Sequence, residues 1–138
     1  MSLAKKGGLN NLPEEFVRRQ RERSVAVAYS DVDLLLKIAY RQVPDSVIQG
    51  VSESTRREVA RGLYATTVSC VRATGETLSR SLTVLGVEVG KNFADEFVER
   101  YARSLTDLKG RLCRRYGIDD ISRSLLIIQY MQFTTPSS

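Results

Sequence analysis

The chain has 138 residues, one domain's length and enough to bury a core of its own, and 42% apolar with 27% charged residues is ordinary for a soluble globular protein. It contains no histidine, which removes the commonest general base and zinc ligand, and no tryptophan, so no aromatic surface for stacking single strands is evident. The net charge of +5 comes from 16 Arg and 5 Lys, and guanidinium is the better bidentate partner for phosphate or carboxylate.

Residues 1–11 are rich in Gly, Asn and Lys and are expected to be a flexible tail. Pro13, with Glu14 and Glu15 behind it, suits the first turn of a helix that continues through Phe16–Arg23. That stretch is too charged for a core, and Arg18, Arg19, Arg21 and Arg23 are candidates for a phosphate-contacting arm. Ser24–Tyr29 fits either helix or strand. Ser30 followed by Asp33 has the form of an N-cap, opening a short apolar helix over Leu34, Leu35, Leu36, Ile38 and Ala39 that Pro44 stops. Residues 44–51 carry turn chemistry.

Ser52 or Ser54 then caps a long helix whose apolar stripe is Val59, Ala60, Leu63, Tyr64, Thr67, Val68 and Val71. Gly62 and Gly75 mark close packing or a break within it. The β-branched alternation of Ser81–Leu85 suits a short extended link, although residues 81–89 admit helix as well. From Gly86 or Gly90 a helical pattern resumes. Ala94, Val98, Tyr101, Leu105, Leu108 and Leu112 repeat at intervals of four and three, a seam for a partner helix. Glu96–Arg100, Glu99–Arg103 and Asp107–Arg111 are spaced as ion pairs on its solvent flank. Arg111, Arg114 and Arg115 close that helix, where the helix dipole alone favours cations. Gly117 ends it, and an apolar element over residues 121–133 is expected to dock or form an interface.

No glycine-rich phosphate loop, nucleophile–base pairing or metal-ligand spacing occurs. The carboxylates sit at helix starts or beside arginines. A non-enzymatic protein without cofactor, metal or small-molecule substrate is therefore expected. Cys70 and Cys113 have no CxxC partner and read as reduced thiols. With no secretory h-region and no apolar run long enough to span a bilayer, an intracellular, reducing location without membrane insertion is expected, cytoplasmic or nuclear.

The short-long-short plan of residues 31–91 resembles the histone fold. The run Leu35-Leu36-Lys37-Ile38-Ala39-Tyr40-Arg41 matches its first helix, residues 44–51 its first loop, and Glu53–Ser79 its central helix. Arg80-Ser81-Leu82-Thr83 resembles its second loop, with a third helix starting near residues 84–87. The resemblance implies dimerisation with a second copy or a related helical subunit, through Val59, Leu63, Tyr64, Val68 and Val71. It also implies sequence-independent binding to the backbone of duplex DNA or RNA, with Arg41, Arg80, Ser81 and Thr83 as contacts. Residues 85–90, with Phe93, Asp95 and Phe97, resemble the Gly-xxx-Gly helix of the helical subunits of the TRAPP tethering complex.

Together these readings give a single all-α domain over residues 12–138, with a histone-fold-like core, an N-terminal basic helix and a C-terminal helical extension. A helical scaffold without nucleic-acid contact is the alternative. Its docking surface would be Tyr101, Leu105, Leu108 and Leu112 with the apolar element over residues 121–133.

Overall fold

Pro13 accepts the first helical hydrogen bond, from the Val17 amide at 3.0 Å, and from there the chain stays helical for 28 residues. The computed structural model describes residues 12–121 as five α-helices: α1 Glu14–Arg41, α2 Asp45–Gln49, α3 Glu53–Val84, α4 Phe93–Arg100 and α5 Ala102–Tyr116. Among the described residues there is no strand. The all-α expectation is thus met. The tail over 1–11 and the element over 122–133 lie outside the described residues.

Several boundaries differ from expectation. Ser24–Tyr29 is helix, and Ser30 lies inside α1 rather than capping a new helix, so the basic helix and the short apolar helix are one. The link over 81–84 is the last turn of α3, because Thr83 Oγ1 donates to the Ser79 carbonyl at 2.8 Å and satisfies its hydroxyl within the helix. Gly86, at φ +83°, supplies the left-handed residue that ends α3. Its amide reaches the Thr83 carbonyl and that of Val87 reaches Leu82, both at 2.9 Å. Arg80, Ser81 and Thr83 therefore lie on a helix, not a loop, and the next helix begins at Phe93. Residues 85–90 are turn and extended backbone, with Gly86 as a cap and open space around Gly90. The seam breaks at Tyr101, which caps α4 before α5 starts.

The chain divides into two compact units: one from residues up to Leu35 with Ser69–Ala102, the other from Leu36–Val68 with Arg103 onward. In the first, Ala28, Val32, Val71, Leu78, Leu82 and Phe97 are buried. Phe97 lies against Gly75, where an added Cβ would meet its Cβ at 2.9 Å, so Gly75 marks close packing and no break. Tyr29, Phe93 and Tyr101 ring Phe97, with centroids 5.3–6.5 Å from it.

In the second unit, Ala39, Ile48, Ala60, Leu108, Leu112, Tyr116, Ile118 and Ile121 form the core. Ser52 is the cap of α3, its Oγ accepting the Thr55 amide at 3.3 Å. Gly117 (φ +63°) closes α5 with bonds from its own amide to Arg114 and from Ile118 to Cys113, which turns Ile118 into the core.

Candidate nucleic-acid interface

An arginine-rich surface has two possible explanations, pairing within the fold or exposure to an anion, and the partners separate them. Arg115 on α5 donates to the carbonyls of Tyr40 and Val43 and to the Asp45 carboxylate, closing the C-terminal end of α1. Arg56 on α3 does the same for α5, donating to the Tyr116 carbonyl and to Val51, both at 2.8 Å. The last carbonyls of a helix have no partner within it, and these two guanidinium groups supply one. Arg57 pairs with Glu53, Arg61 with Glu58 and Arg72 with Asp95. These cations are spoken for.

Of the expected phosphate-contacting arm, Arg18 and Arg19 pair with Glu15, and Arg18 also with Glu22. The Glu15 hydrogen bond holds the Arg18 proton more firmly than usual, with Glu22 adding to it. Arg21 and Arg23 are exposed and in no ion pair among the described residues. Within the first unit a groove of about 430 Å³ between α1 and α3 is lined by Arg23, Asp31 and the hydroxyls of Ser24, Thr74, Thr77 and Ser81. A neighbouring hollow shares Ser24, Thr77 and Ser81 and adds Arg80, whose guanidinium rests on Thr77. The structure thus brings Arg23, Arg80 and Ser81 together. Thr83 is exposed but lines neither hollow.

The strongest concentration of free charge is in the second unit. A groove of about 460 Å³ between the end of α1 and the start of α5 is rimmed by Lys37, Arg41, Arg103 and Arg111. All four are exposed, and none is in a salt bridge among the described residues. Among the described residues Asp107 is the one carboxylate in the lining, so they carry a formal +3 from four cations and one anion. Its floor is Leu36, Tyr40 and Leu108. Arg111 lies over the Tyr40 ring, 4.0 Å from its centroid, rather than pairing with Asp107. Like charges gathered in a concave, partly apolar setting attract anions more strongly than the same charges scattered over a surface.

Only Arg41 of this rim was legible as a contact. Lys37 and Arg103 read as ordinary solvent-side residues, and Arg111 as a dipole-neutralising one. The usable signal was the i,i+4 spacing of Lys37 and Arg41 along one face of the helix.

The interface residues fall differently. Leu105, Leu108 and Leu112 are buried at 4%, 3% and 0% exposure, and Val71 at 0%, so they are core and not an open docking surface. The 4-3 seam is satisfied inside the chain. Val59, Leu63 and Tyr64 pack partly buried against the second unit's core, and Val68 is half-buried. Tyr101 is half-buried with its hydroxyl sealed from solvent and without a hydrogen-bond partner. Cys70 and Cys113 are free thiols.

Among the described residues no group of acids and thiols is arranged to hold a metal ion, and no helix is long and apolar enough to cross a membrane. No protein-family model, curated protein or solved structure significantly matches this chain.

Proposed function

We propose that this protein binds the sugar–phosphate backbone of nucleic acid without reading base sequence, as a non-enzymatic helical subunit. The observation that carries the reading is the groove rimmed by Lys37, Arg41, Arg103 and Arg111, four exposed cations facing one carboxylate. Cations kept out of ion pairs are available to an external anion, and the arginine fork binds phosphate, like carboxylate, with two parallel hydrogen bonds. Arg21, Arg23 and Arg80 add exposed positive charge in the first unit.

The test is a titration of labelled nucleic acid, as strand and as duplex, at ~50 and ~200 mM salt. Micromolar or tighter binding at the lower salt, falling at least about tenfold at the higher, is the expected result for several phosphate contacts. No binding of either form at low salt overturns the reading.

A second reading, a protein-only assembly, rests on a different feature. Phe16, Val27 and Leu34 of the first unit are 44%, 52% and 57% exposed. At about 100° per residue their intervals of eleven and seven place them on one side of α1. Such a stripe favours a second helical subunit. Sedimentation showing a monomer at micromolar concentration would remove the homo-oligomeric version.

A further inference from the structure

The groove of the second unit is not only positive; its shape and floor select among polyanions. We infer that it takes a single-stranded nucleic acid rather than a duplex, an inference that rests on the backbone-binding reading above.

The groove opens between two helices of one packed core, the end of α1 and the start of α5. Helices in contact have axes about 8–10 Å apart, so the opening between their side chains is narrower than that. A duplex holds two backbones apart across grooves about 12 and 6 Å wide, so the whole helix is wider than that opening and would touch the rim only. Contact with the rim would leave the exposed parts of Leu36 and Tyr40 uncovered beneath it.

A single strand matches both layers. Its phosphates meet the rim cations, while a base or sugar turned inward covers the apolar floor. The Arg111 guanidinium, held 4.0 Å from the Tyr40 ring centroid, adds a flat, charged plate on which any base can stack. Arg115 keeps that floor in place through the carbonyls of Tyr40 and Val43. Composition alone offers no stacking surface, since there is no tryptophan; here one is assembled from a tyrosine and an arginine 71 positions apart. Neither stacking nor phosphate contact depends on the sugar, so DNA and RNA strands are both ligands.

The experiment is fluorescence anisotropy with the full chain and one labelled mixed-sequence strand of about 20 nucleotides, long enough to cover a typical single-strand site. The strand is presented as DNA, as RNA, and annealed to its DNA complement, all at the same low salt. The single strands are expected to bind at least about tenfold tighter than the duplex, and within about threefold of each other. Arg111→Lys keeps the charge but loses the planar stack. It should weaken single-strand binding severalfold more than duplex binding, and so reduce the strand-over-duplex preference.

A duplex bound as tightly as the strand would overturn the inference and leave the backbone-binding reading standing. No binding by any of the three probes would overturn both. A gap above tenfold between DNA and RNA strands would contradict recognition by backbone and stacking alone. A preference that survives Arg111→Lys intact would contradict the role of the stacked pair.

Discussion

The guanidinium of Arg115 serves three acceptors, from the end of α1, the link after it and the start of α2, and its side chain is only 14% exposed. A lysine there keeps the charge but has no fork to span separated carbonyls. Arg115→Lys and Arg115→Ala are each expected to cost about 2–3 kcal/mol, the usual range for charge-assisted bonds with buried acceptors left behind. Urea denaturation would measure this, with Arg114→Ala, an exposed neighbour, as the control that changes little. Tyr101 gives the opposite sign, because its sealed hydroxyl has no partner and Tyr101→Phe should be neutral to about 1 kcal/mol stabilising at neutral pH.

Burial, then the nearby Tyr29 and Asp33, push the Tyr101 hydroxyl up to about 12 from an ordinary 10.0. The folded state keeps a proton that the unfolded chain releases, so this contribution is intact below pH 10.0 and is lost as pH rises towards about 12. Melting curves across that window should fall less steeply for Tyr101→Phe than for the native chain. Part of the slope should survive, since burial also raises Tyr116. At Gly75 the added methyl of alanine would press on the Cβ of Phe97 at 2.9 Å, an atom that cannot swing away. Gly75→Ala is expected to lose about 1–2 kcal/mol, the overpacking cost outweighing alanine's better helix propensity. A Phe97→Ala partner mutation should show the coupling in a double-mutant cycle.

At the scale of elements, α3 and α5 end by the same device, a left-handed glycine with paired bonds back into the last turn. Gly86→Ala and Gly117→Ala should each cost about 1–2 kcal/mol, since a Cβ is strained at positive φ whatever the space around it. Gly62→Ala, in an α3 position with open space around it, should instead be neutral or stabilising. The longer helices were legible from spacing, as was the Gly117 stop, and Ser52 was one of two candidate caps, but α2 was not, since residues 44–51 read as a turn. The helix boundaries were less legible. Ser30 and Asp33 have cap chemistry, but a helix already running through residue 29 gives them no orphan amide to satisfy. The break at Tyr101 was hidden because the 4-3 apolar pattern continues across it, with Ala94 and Val98 partly buried and Leu105, Leu108 and Leu112 buried. Residues 81–84 have strand-like composition, yet Thr83 bonds within the helix and Leu82 is buried, which outweighs β-propensity.

For the molecule as a whole, two long helices each contribute to two compact units, and nothing local in the sequence marks where one unit ends. At 28 and 32 residues, α1 and α3 run about 42 and 48 Å at 1.5 Å per residue, so their ends find different partners. That long-range choice also decided the fate of the arginines. Their number was legible; which of them cap carbonyls and which face outward was not, because the acceptors of Arg56 and Arg115 lie 60 and 70–75 residues away in sequence or across a turn. Once those are assigned, four of the remaining cations, Lys37, Arg41, Arg103 and Arg111, gather at one groove of the second unit.

The most direct test of that assignment is the salt dependence of single-strand binding in the native chain and in an Arg41→Ala/Arg103→Ala variant. Both side chains are exposed and unpaired among the described residues, so the variant should fold with an unchanged circular dichroism spectrum and melting temperature. Each phosphate contact contributes about 0.7 to the slope of log K against log salt, so the variant's slope should be shallower by about 1.4. A slope identical to that of the native chain would contradict the account, because the groove would then not be where the backbone is held.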